Sequence, residues 1–363
     1  MKKLYSDLIK LLKINTVTDQ ISFLELEKLF NLLFPSCVIH KIENNKKASF
    51  IIELNKNNSK QIDNGLLFVG HYDTVAINNN SIYETEDAIF GRGSVDMKYF
   101  IVCLSSILPY IRKRHFPFPI TLCLSGDEEK ETDCVKDIVS HLKQKNVKYD
   151  LCVVGEPSGF NICNSHNGHY ILDFEIDSIS LHSSHSTINQ NSAFFAVELI
   201  NYIYSTAKIK TSISSINTVG VSSNSNPTKC KVALEFRPES LEDIEELISS
   251  IDNYIQDKKK DYIGDVTYKI RNGFIPPYYS KCSTWICKIF KGDFCRFPAA
   301  SEAPFYQTIC DEVVVFGAGD INCAHSETEY ILKSDLCKYK EKLIGIIDNY
   351  NELRKVPNEK IKS

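Results

Sequence analysis

Short apolar runs alternate with helical patterns along the first part of the chain. The apolar runs cover 48–54, 65–71, 119–125 and 149–156, and each is continuous, as in strands buried on both faces. Between them, 96–114 and 131–145 repeat apolar residues at the spacing of a helix. Strands that alternate with helices predict an α/β domain built on a mostly parallel sheet with helices on both of its faces.

The middle of the chain has a different order of elements. The pattern predicts a strand, a helix, two strands, a second helix and a last strand, at about 169–176, 191–208, 216–221, 229–236, 240–258 and 265–271. Ser240 with Asp243 three residues later is a capping box for the second helix. This β-α-β-β-α-β order predicts a ferredoxin-like unit. We therefore expect an inserted domain over 168–271, within a larger domain formed by 1–167 and 272–363.

The net charge and the distribution of apolar residues limit the classes of partner that this protein could bind. The formal net charge is −4 and no strong basic cluster is present, which argues against a nucleic acid or an anionic membrane as partner. Polar residues interrupt the N-terminal segment 1–13 at helical spacing, so we interpret it as an amphipathic helix rather than a signal peptide. We expect no apolar stretch to approach the length of about 20 residues that spans a bilayer, and the sequence therefore predicts a cytoplasmic protein. Its 13 scattered cysteines, such as Cys103, Cys123 and Cys152, are expected to be free and largely buried.

Two segments offer isolated candidates for metal ligands. His71 ends an apolar run and Asp73 follows it, a pattern that suits a ligand imidazole whose orientation is fixed by a carboxylate. A histidine satisfied at the end of a strand is an equally good explanation of His71 alone. Asp96 follows a turn with Gly91 and Gly93, and by itself it is explained equally well as a helix N-cap.

Further acids and a second imidazole follow other predicted strands. Asp127, Glu128 and Glu129 come directly after the run 119–125, Glu156 ends the run 149–156, and His325 follows 312–319. A solvated acidic loop is the alternative for the first three. Open α/β sheets, however, place ligand sites at the carboxyl ends of their strands. Two imidazoles with several carboxylates are the ligand set of a catalytic zinc centre.

The motifs HYDTV, GRGSVDMK, SGDEEK, GEP and GAGDINCAHSETEY resemble the acetylornithine deacetylase, succinyl-diaminopimelate desuccinylase and glutamate carboxypeptidase family of zinc hydrolases. The resemblance covers nearly the whole chain in order. The segment SEAPF, at 301–305, is most similar to the acetylornithine deacetylase branch, and acetylcitrulline deacetylases carry a related segment.

The resemblance implies a centre of two zinc ions, for which cobalt can substitute. Asp96 would bridge the two ions. His71 and Glu156 would complete one site, while Glu129 and His325 would complete the other. A cis peptide bond would follow Asp96.

The same resemblance assigns the remaining catalytic roles. Glu128 would be the general base, and Asp73 would orient His71. His182 in LHSSHS would reach the active site of the other subunit of a homodimer, although the nearby His185 is a competing choice.

Substrate binding is assigned from resemblance and charge. Asn224 and Arg237 resemble a pair that binds the carboxylate of the substrate. Glu302 complements the cationic end of ornithine, and capping of the following turn is its alternative role. Departures from the family pattern are Tyr99 for a glycine, Ala318 for a proline and Glu235 for an aspartate.

The expected function is hydrolysis of the amide bond of an N-acyl amino acid, with N-acetyl-L-ornithine favoured, as in arginine biosynthesis. An acetylcitrulline deacetylase, a succinyl-diaminopimelate desuccinylase and a dipeptidase are alternatives that share the mechanism. An inactive homologue that only binds amino-acid derivatives is an alternative of a different class, and it would have no use for Glu128.

Overall fold

The computed structural model describes residues 1–55, 64–77, 81–220 and 224–355. The chain divides into two compact units, one formed by Met1–His166 with Tyr279–Ser363 and the other by Asn167–Tyr278. The second unit starts one residue before the predicted insertion of 168–271 and ends seven residues after it.

The first unit combines helices with strands. Its helices are α1 (Lys2–Lys13), α2 (Phe23–Leu33), α3 (Tyr99–Arg114), α4 (Asp133–Gln144), α7 (Thr284–Phe290), α8 (Ala303–Tyr306) and α9 (Lys333–Leu353). Its strands are β1 (Val38–Asn44), β2 (Lys47–Glu53), β3 (Leu66–His71), β4 (Tyr83–Glu84), β5 (Ala88–Phe90), β6 (Ile120–Ser125), β7 (Tyr149–Val154), β8 (Ile162–His166), β14 (Phe294–Arg296), β15 (Cys310–Val315) and β16 (Tyr330–Leu332), with β13 (Tyr278–Tyr279) at the second boundary.

The main sheet has the order β1-β2-β6-β3-β7-β15-β8-β13, with β14 paired to β8. Its centre, β6-β3-β7-β15, is parallel, as the buried apolar runs predict. The flanks differ from the prediction, because β1, β2 and β6 pair in antiparallel fashion, as do β15 and β8. The sheet is therefore mixed and mainly parallel. A separate small sheet has the order β16-β5-β4.

Helix α3 lies in the core of the first unit. Its apolar residues pack with α1, α2, α9 and one face of the sheet in a single hydrophobic cluster. The stretch Ser94–Arg114 is long and apolar enough to span a bilayer by length and composition alone, so the expectation that no stretch approaches that length was wrong. Most of its apolar window is buried within the protein, as in the core helix of a soluble domain.

The second unit consists of β9 (Tyr170–Asp177), α5 (Ser192–Thr206), β10 (Lys210–Val219), β11 (Lys229–Arg237), α6 (Leu241–Lys258) and β12 (Val266–Ile270). The predicted β-α-β-β-α-β order is confirmed, with an antiparallel sheet of order β10-β11-β9-β12. Ser240 and Asp243 form the predicted capping box of α6. The two helices pack on one face of the sheet around a core of their own.

Candidate metal centre

The carboxyl ends of three parallel strands bring the candidate residues to one edge of the sheet. His71 is the last residue of β3 and pairs in register with Ser125, the last residue of β6. Glu156 follows β7, which is the neighbour of β3 on the other side. Because parallel strands end on the same side, the segments that follow them converge there.

Asp96 reaches this edge from a turn rather than from a strand. Gly93 has a φ of 84°, which a residue with a Cβ rarely adopts, and Ser94–Lys98 forms a kinked turn before α3 in which Asp96 and Met97 are not helical. The residue that caps α3 is Lys98, so Asp96 is not its N-cap. The peptide bond between Asp96 and Met97 is cis, as the resemblance implied.

The two carboxylate oxygens of Asp96 face two different imidazoles. Oδ1 lies 3.0 Å from Nε2 of His71, and Oδ2 lies 3.2 Å from Nε2 of His325. His71 and Asp96 are buried, whereas the side chain of His325 is about half exposed. A carboxylate that presents one oxygen to each of two imidazoles has the geometry of a bridge between two sites.

Two overlapping groups of potential ligand atoms form around Asp96. Atoms of His71, Asp96 and Glu156 lie within 4.8 Å of one another, and so do atoms of Asp96, Glu129 and His325. Nε2 of His325 is 3.1 Å from Oε1 of Glu129, and Nε2 of His71 is 3.9 Å from Oε1 of Glu156. The structure thus brings together all five residues for which the resemblance implied a ligand role.

Asp73 links His71 to the acidic turn after β6. Nδ1 of His71 donates to the backbone oxygen of Asp73 at 3.0 Å, which leaves Nε2 directed towards Asp96. The carboxylate of Asp73 accepts hydrogen bonds from the backbone amides of Glu128 and Glu129, at 3.2 and 3.3 Å, and from the hydroxyl of Thr18 at 2.8 Å. Asp73 therefore fixes both the imidazole and the turn that carries two acids.

Asp127 points away from its two acidic neighbours. It is fully buried and accepts hydrogen bonds from the backbone amides of Asp133 and Cys134, at the start of α4, and from Lys47. Gly126 permits this turn, because a Cβ there would lie 2.2 Å from the hydroxyl oxygen of Tyr72. Asp127 is therefore a structural residue, and the turn is not the solvated acidic loop that was the alternative interpretation.

The site has a strongly negative local potential. Burial raises the pKa of Glu128 and of Glu156 well above the usual value for a carboxyl group, and neighbouring carboxylates raise both further. Hydrogen bonds to Asp96 and Glu129 raise the pKa of His325 to about 10. Within the described residues, no lysine or arginine forms an ion pair with Asp96, Glu128, Glu129 or Glu156.

These features fit a centre for two divalent cations. Each of the two groups provides one imidazole, one glutamate and a share of Asp96, without a thiolate, which is the donor set that zinc takes in catalytic sites. The potential that raises the pKa of the imidazoles also attracts a cation. Since adjacent buried carboxylates repel each other, a pair of cations would relieve an electrostatic cost that, without metal, raises the pKa of the imidazoles and of Glu128 and Glu156.

Glu302 lies on the face of the main sheet that carries Ser125. It is 2% exposed, and burial raises its pKa to about 8, with a hydrogen bond to Ser125 acting in the opposite direction. One of its oxygens, Oε1, has no hydrogen-bond partner in the described part of the chain. The side chain does not cap α8, so the proposed capping role is not what the structure contains.

Two departures from the family pattern meet in one hydrogen-bonded contact. The hydroxyl of Tyr99 donates to the backbone oxygen of Gly155 at 2.7 Å and accepts from the backbone amide of Ala318 at 2.8 Å. A proline at position 318 would have no amide hydrogen to donate. Tyr99 in place of glycine and Ala318 in place of proline are thus coupled, and the contact fixes the residue before Glu156.

The second unit carries the residues predicted to bind the substrate or its oxyanion, and these residues do not form a single cluster. His182 forms an isolated bridge with Ser225, and the amide of Ser183 donates to the backbone oxygen of Asn224 at 2.8 Å, so His182 and Asn224 are neighbours. Both are exposed, as is His185. Arg237 lies at the other end of β11, where it forms an ion pair with Glu235 at 2.6 Å.

The sequence of the chain matches the model of the Peptidase family M20/M25/M40 over residues 67–349. An acetylornithine deacetylase of Buchnera aphidicola subsp. Acyrthosiphon pisum (strain Tuc7) is 25% identical over 301 residues, which cover 74% of this chain and 76% of that protein. An uncharacterized metallohydrolase of Methanocaldococcus jannaschii is 25% identical over 351 residues, 92% of this chain and 93% of that protein.

Among solved structures, a tripeptidase of Staphylococcus aureus superposes with a TM-score of 0.79 at 16% identity, covering 97% of this chain and 98% of that one. This likeness shows a common fold. The chain belongs to the peptidase M20/M25/M40 family, and it is a metallohydrolase of that family.

Sequence reasoning gave no role to several residues that support the site. Thr18 hydrogen-bonds to Asp73, and a buried ion pair of Arg92 and Glu329 lies beside Asp96. No local pattern marks such contacts, because each joins segments that are far apart in the chain.

Proposed function

We propose that this protein removes an acyl group from the α-nitrogen of an amino acid, and that N-acetyl-L-ornithine is its substrate. The observation that carries the proposal is the position of Asp96, whose two oxygens face His71 and His325 at 3.0 and 3.2 Å. In this assignment His71, Asp96 and Glu156 hold one ion, and Asp96, Glu129 and His325 hold the other. Zinc is the proposed metal, with cobalt as a substitute.

A pair of divalent ions would polarise the amide carbonyl and lower the pKa of a water molecule. Glu128 then acts as the general base, taking a proton from water and passing it to the leaving α-amine. Burial raises the pKa of Glu128 above the usual value for a carboxyl group, which strengthens it as a proton acceptor and supports this assignment. Asp73 keeps His71 and the backbone of Glu128 in place through the contacts described above.

Two kinds of support favour this substrate: charge complementarity between side chains and substrate, and the name of a similar protein. Arg237 suits the α-carboxylate of the substrate, because guanidinium binds carboxylates in a bidentate manner. Glu302, with one oxygen that lacks a partner, suits the ammonium of ornithine. The name of the acetylornithine deacetylase of Buchnera aphidicola supports this substrate. A place in arginine biosynthesis and a cytoplasmic location are further parts of the proposal.

A homodimer is part of the proposal, with His182 of one subunit donating to the developing oxyanion in the other. Such a donor contributes about 3 kcal/mol to transition-state stabilisation. An exposed surface of the second unit supports self-association. Strand β10 is an edge strand with exposed Ile216 and Val219, and α5 carries an exposed stripe that includes Phe194 and Val197. A long apolar edge strand can pair with its own copy about a two-fold axis.

The proposal has competitors within the same chemistry. Acetylcitrulline deacetylase and succinyl-diaminopimelate desuccinylase activities use the same centre on other amino-acid derivatives, and the S. aureus tripeptidase supports a peptidase as alternative. An inactive binding protein is the alternative of a different class. It conflicts with the presence of Glu128 beside the five proposed ligands.

The test is a panel of substrates assayed with the purified protein loaded with zinc and, separately, with cobalt. The panel contains acetylornithine, acetylcitrulline, acetylmethionine, succinyl-diaminopimelate and a neutral dipeptide. The expected result is the highest kcat/KM for acetylornithine with either metal. A higher value for another member reassigns the substrate, and no turnover of any member by metal-loaded protein contradicts the hydrolase proposal.

A further inference from the structure

A buried ion pair lies next to Asp96 of the candidate metal centre. Nη1 of Arg92 is 2.6 Å from Oε2 of Glu329, and the two residues are 5% and 2% exposed. Arg92 follows β5, whereas Glu329 precedes β16, the strand that pairs with β5. The backbone oxygen of Glu329 also accepts from the amide of Gly91 at 2.9 Å. The pair therefore joins two segments that are more than 230 residues apart in sequence.

The second oxygen of Glu329 holds the segment that leads into Asp96. Oε1 accepts from the backbone amides of Val95 and Asp96, at 3.0 and 3.2 Å. Asp96 itself has a non-helical backbone, with φ −125° and ψ 93°. Buried amides need a hydrogen-bond partner, and here Glu329 supplies it for both.

Glu329 also anchors the segment that carries His325. His325 lies four residues earlier, its side chain is half exposed and its φ is 60°. His71, by contrast, belongs to β3, and Glu156 follows β7 after Gly155, whose backbone amide donates to Val69 of β3, so the hydrogen bonds of the sheet hold both segments. A displacement of Glu329 would move Asp96 and His325, and it would leave His71 and Glu156 in place.

We propose that Glu329, oriented by Arg92, is a positioning residue that sets the separation of Asp96 and His325. The proposal rests on the proposed two-ion function. Loss of Glu329 should weaken the site of Asp96, Glu129 and His325 more than the site of His71, Asp96 and Glu156. The first of these sites loses the position of two ligands, whereas the second loses the position of only one.

The test measures metal binding rather than turnover. The full chain is stripped of metal by a chelator and titrated with Zn²⁺ by calorimetry and with Co²⁺ by visible absorption. Glu329→Gln retains an acceptor for the two amides but removes the charge that pairs with Arg92. Outer partners of metal ligands typically change metal affinity by about 10- to 100-fold. The expected result is a loss of that size for the ion held by Asp96, Glu129 and His325, with the Kd of the ion held by His71, Asp96 and Glu156 unchanged within about threefold.

Glu312→Gln is the matched control. Glu312 is also a buried carboxylate that accepts from a backbone amide, that of Ser283 at 3.1 Å, but it lies within β15 and, in the described part of the chain, forms no hydrogen bond or ion pair with the candidate ligands. It should bind both ions as the wild type does. Arg92→Lys retains the positive charge but loses the geometry of the guanidinium, and it should also weaken binding of the ion held by Asp96, Glu129 and His325. If Glu329→Gln does not fold, Arg92→Lys tests the positioning role in its place.

The outcomes separate the two proposals. Wild-type affinities for both ions in Glu329→Gln would overturn the positioning role, and so would an equal loss for both ions, which indicates a general structural effect. If the wild type itself binds no second ion, the proposed two-ion function fails first and the positioning role fails with it.

Discussion

Arg237 is the last residue of β11, whereas Asn224 lies five positions before the first residue of that strand, so the two residues expected to share one substrate carboxylate are separated within the chain. Strand β11 has nine residues, which span about 25 Å when extended. Asn224 is instead a neighbour of His182. If both residues contact one substrate, they come from different subunits.

Mixed dimers test this arrangement. Arg237→Ala and His182→Ala should each be almost inactive alone, because each variant lacks one group at every site. When the two are co-expressed, random pairing gives half mixed dimers, each with one intact site, and about a quarter of wild-type kcat should return. As a control, two separately purified preparations of the same variant are mixed. No recovery would place both residues at one site in one subunit, or at neither.

The role of Glu128 is tested by separating metal content from turnover. Glu128→Ala should lower kcat by at least about 10²-fold, because the proton transfer loses its base, while two metal ions per chain remain on elemental analysis. Glu129→Ala, the neighbouring change, should lose one ion. A joint loss of metal and activity in Glu128→Ala would mean that its role as base has been confused with that of a ligand.

The coupled departures Tyr99 and Ala318 predict a non-additive effect on stability. Ala318→Pro removes the amide that donates to the hydroxyl of Tyr99 and should lower the free energy of unfolding by about 1–3 kcal/mol. In a Tyr99→Phe background the same change should cost less, because the acceptor is already gone. Urea unfolding of the four proteins measures this, and strict additivity would show that the contact makes no contribution.

From the position and charge of Glu302, we predict that the protein prefers substrates with a cationic side chain. Glu302→Gln should lower kcat/KM for acetylornithine by about tenfold or more relative to acetylmethionine, because the amide cannot offer a negative charge to the ammonium group. Steady-state kinetics on the two substrates gives the ratio directly. An unchanged ratio would remove Glu302 from substrate recognition and leave it as a buried carboxyl beside Ser125.

The exposed edge of the second unit predicts the oligomeric state. Ile216→Lys places a charge on β10 and should convert the proposed dimer to a monomer in light scattering, because a lysine on an edge strand opposes pairing. Ile263→Lys is the control, since Ile263 is equally exposed but lies outside β10 and α5. A wild-type monomer, or an Ile216→Lys variant that remains dimeric, would contradict the proposed interface.

The parallel strands and the insertion were predictable because their signals are local. Continuous apolar runs such as 65–71 and 119–125 identify buried strands, and Ser240 with Asp243 marks the start of α6. The antiparallel pairing of β2 with β6 was not predictable, since a buried apolar run has the same appearance in either direction. Strand β1 was missed because it is largely exposed and lacks a clear alternation.

The sequence by itself determined which segments would supply imidazoles and carboxylates, because strand ends and glycine turns are local signals and His71, Asp96 and Glu156 lie at or within three residues of them. Only the tertiary structure decided how these groups face each other. It directed Asp127 into the cap of α4, turned the two oxygens of Asp96 to different imidazoles, and paired Arg92 with Glu329. These contacts depend on the packing of segments that are distant in the chain, and no local pattern of residues encodes that packing.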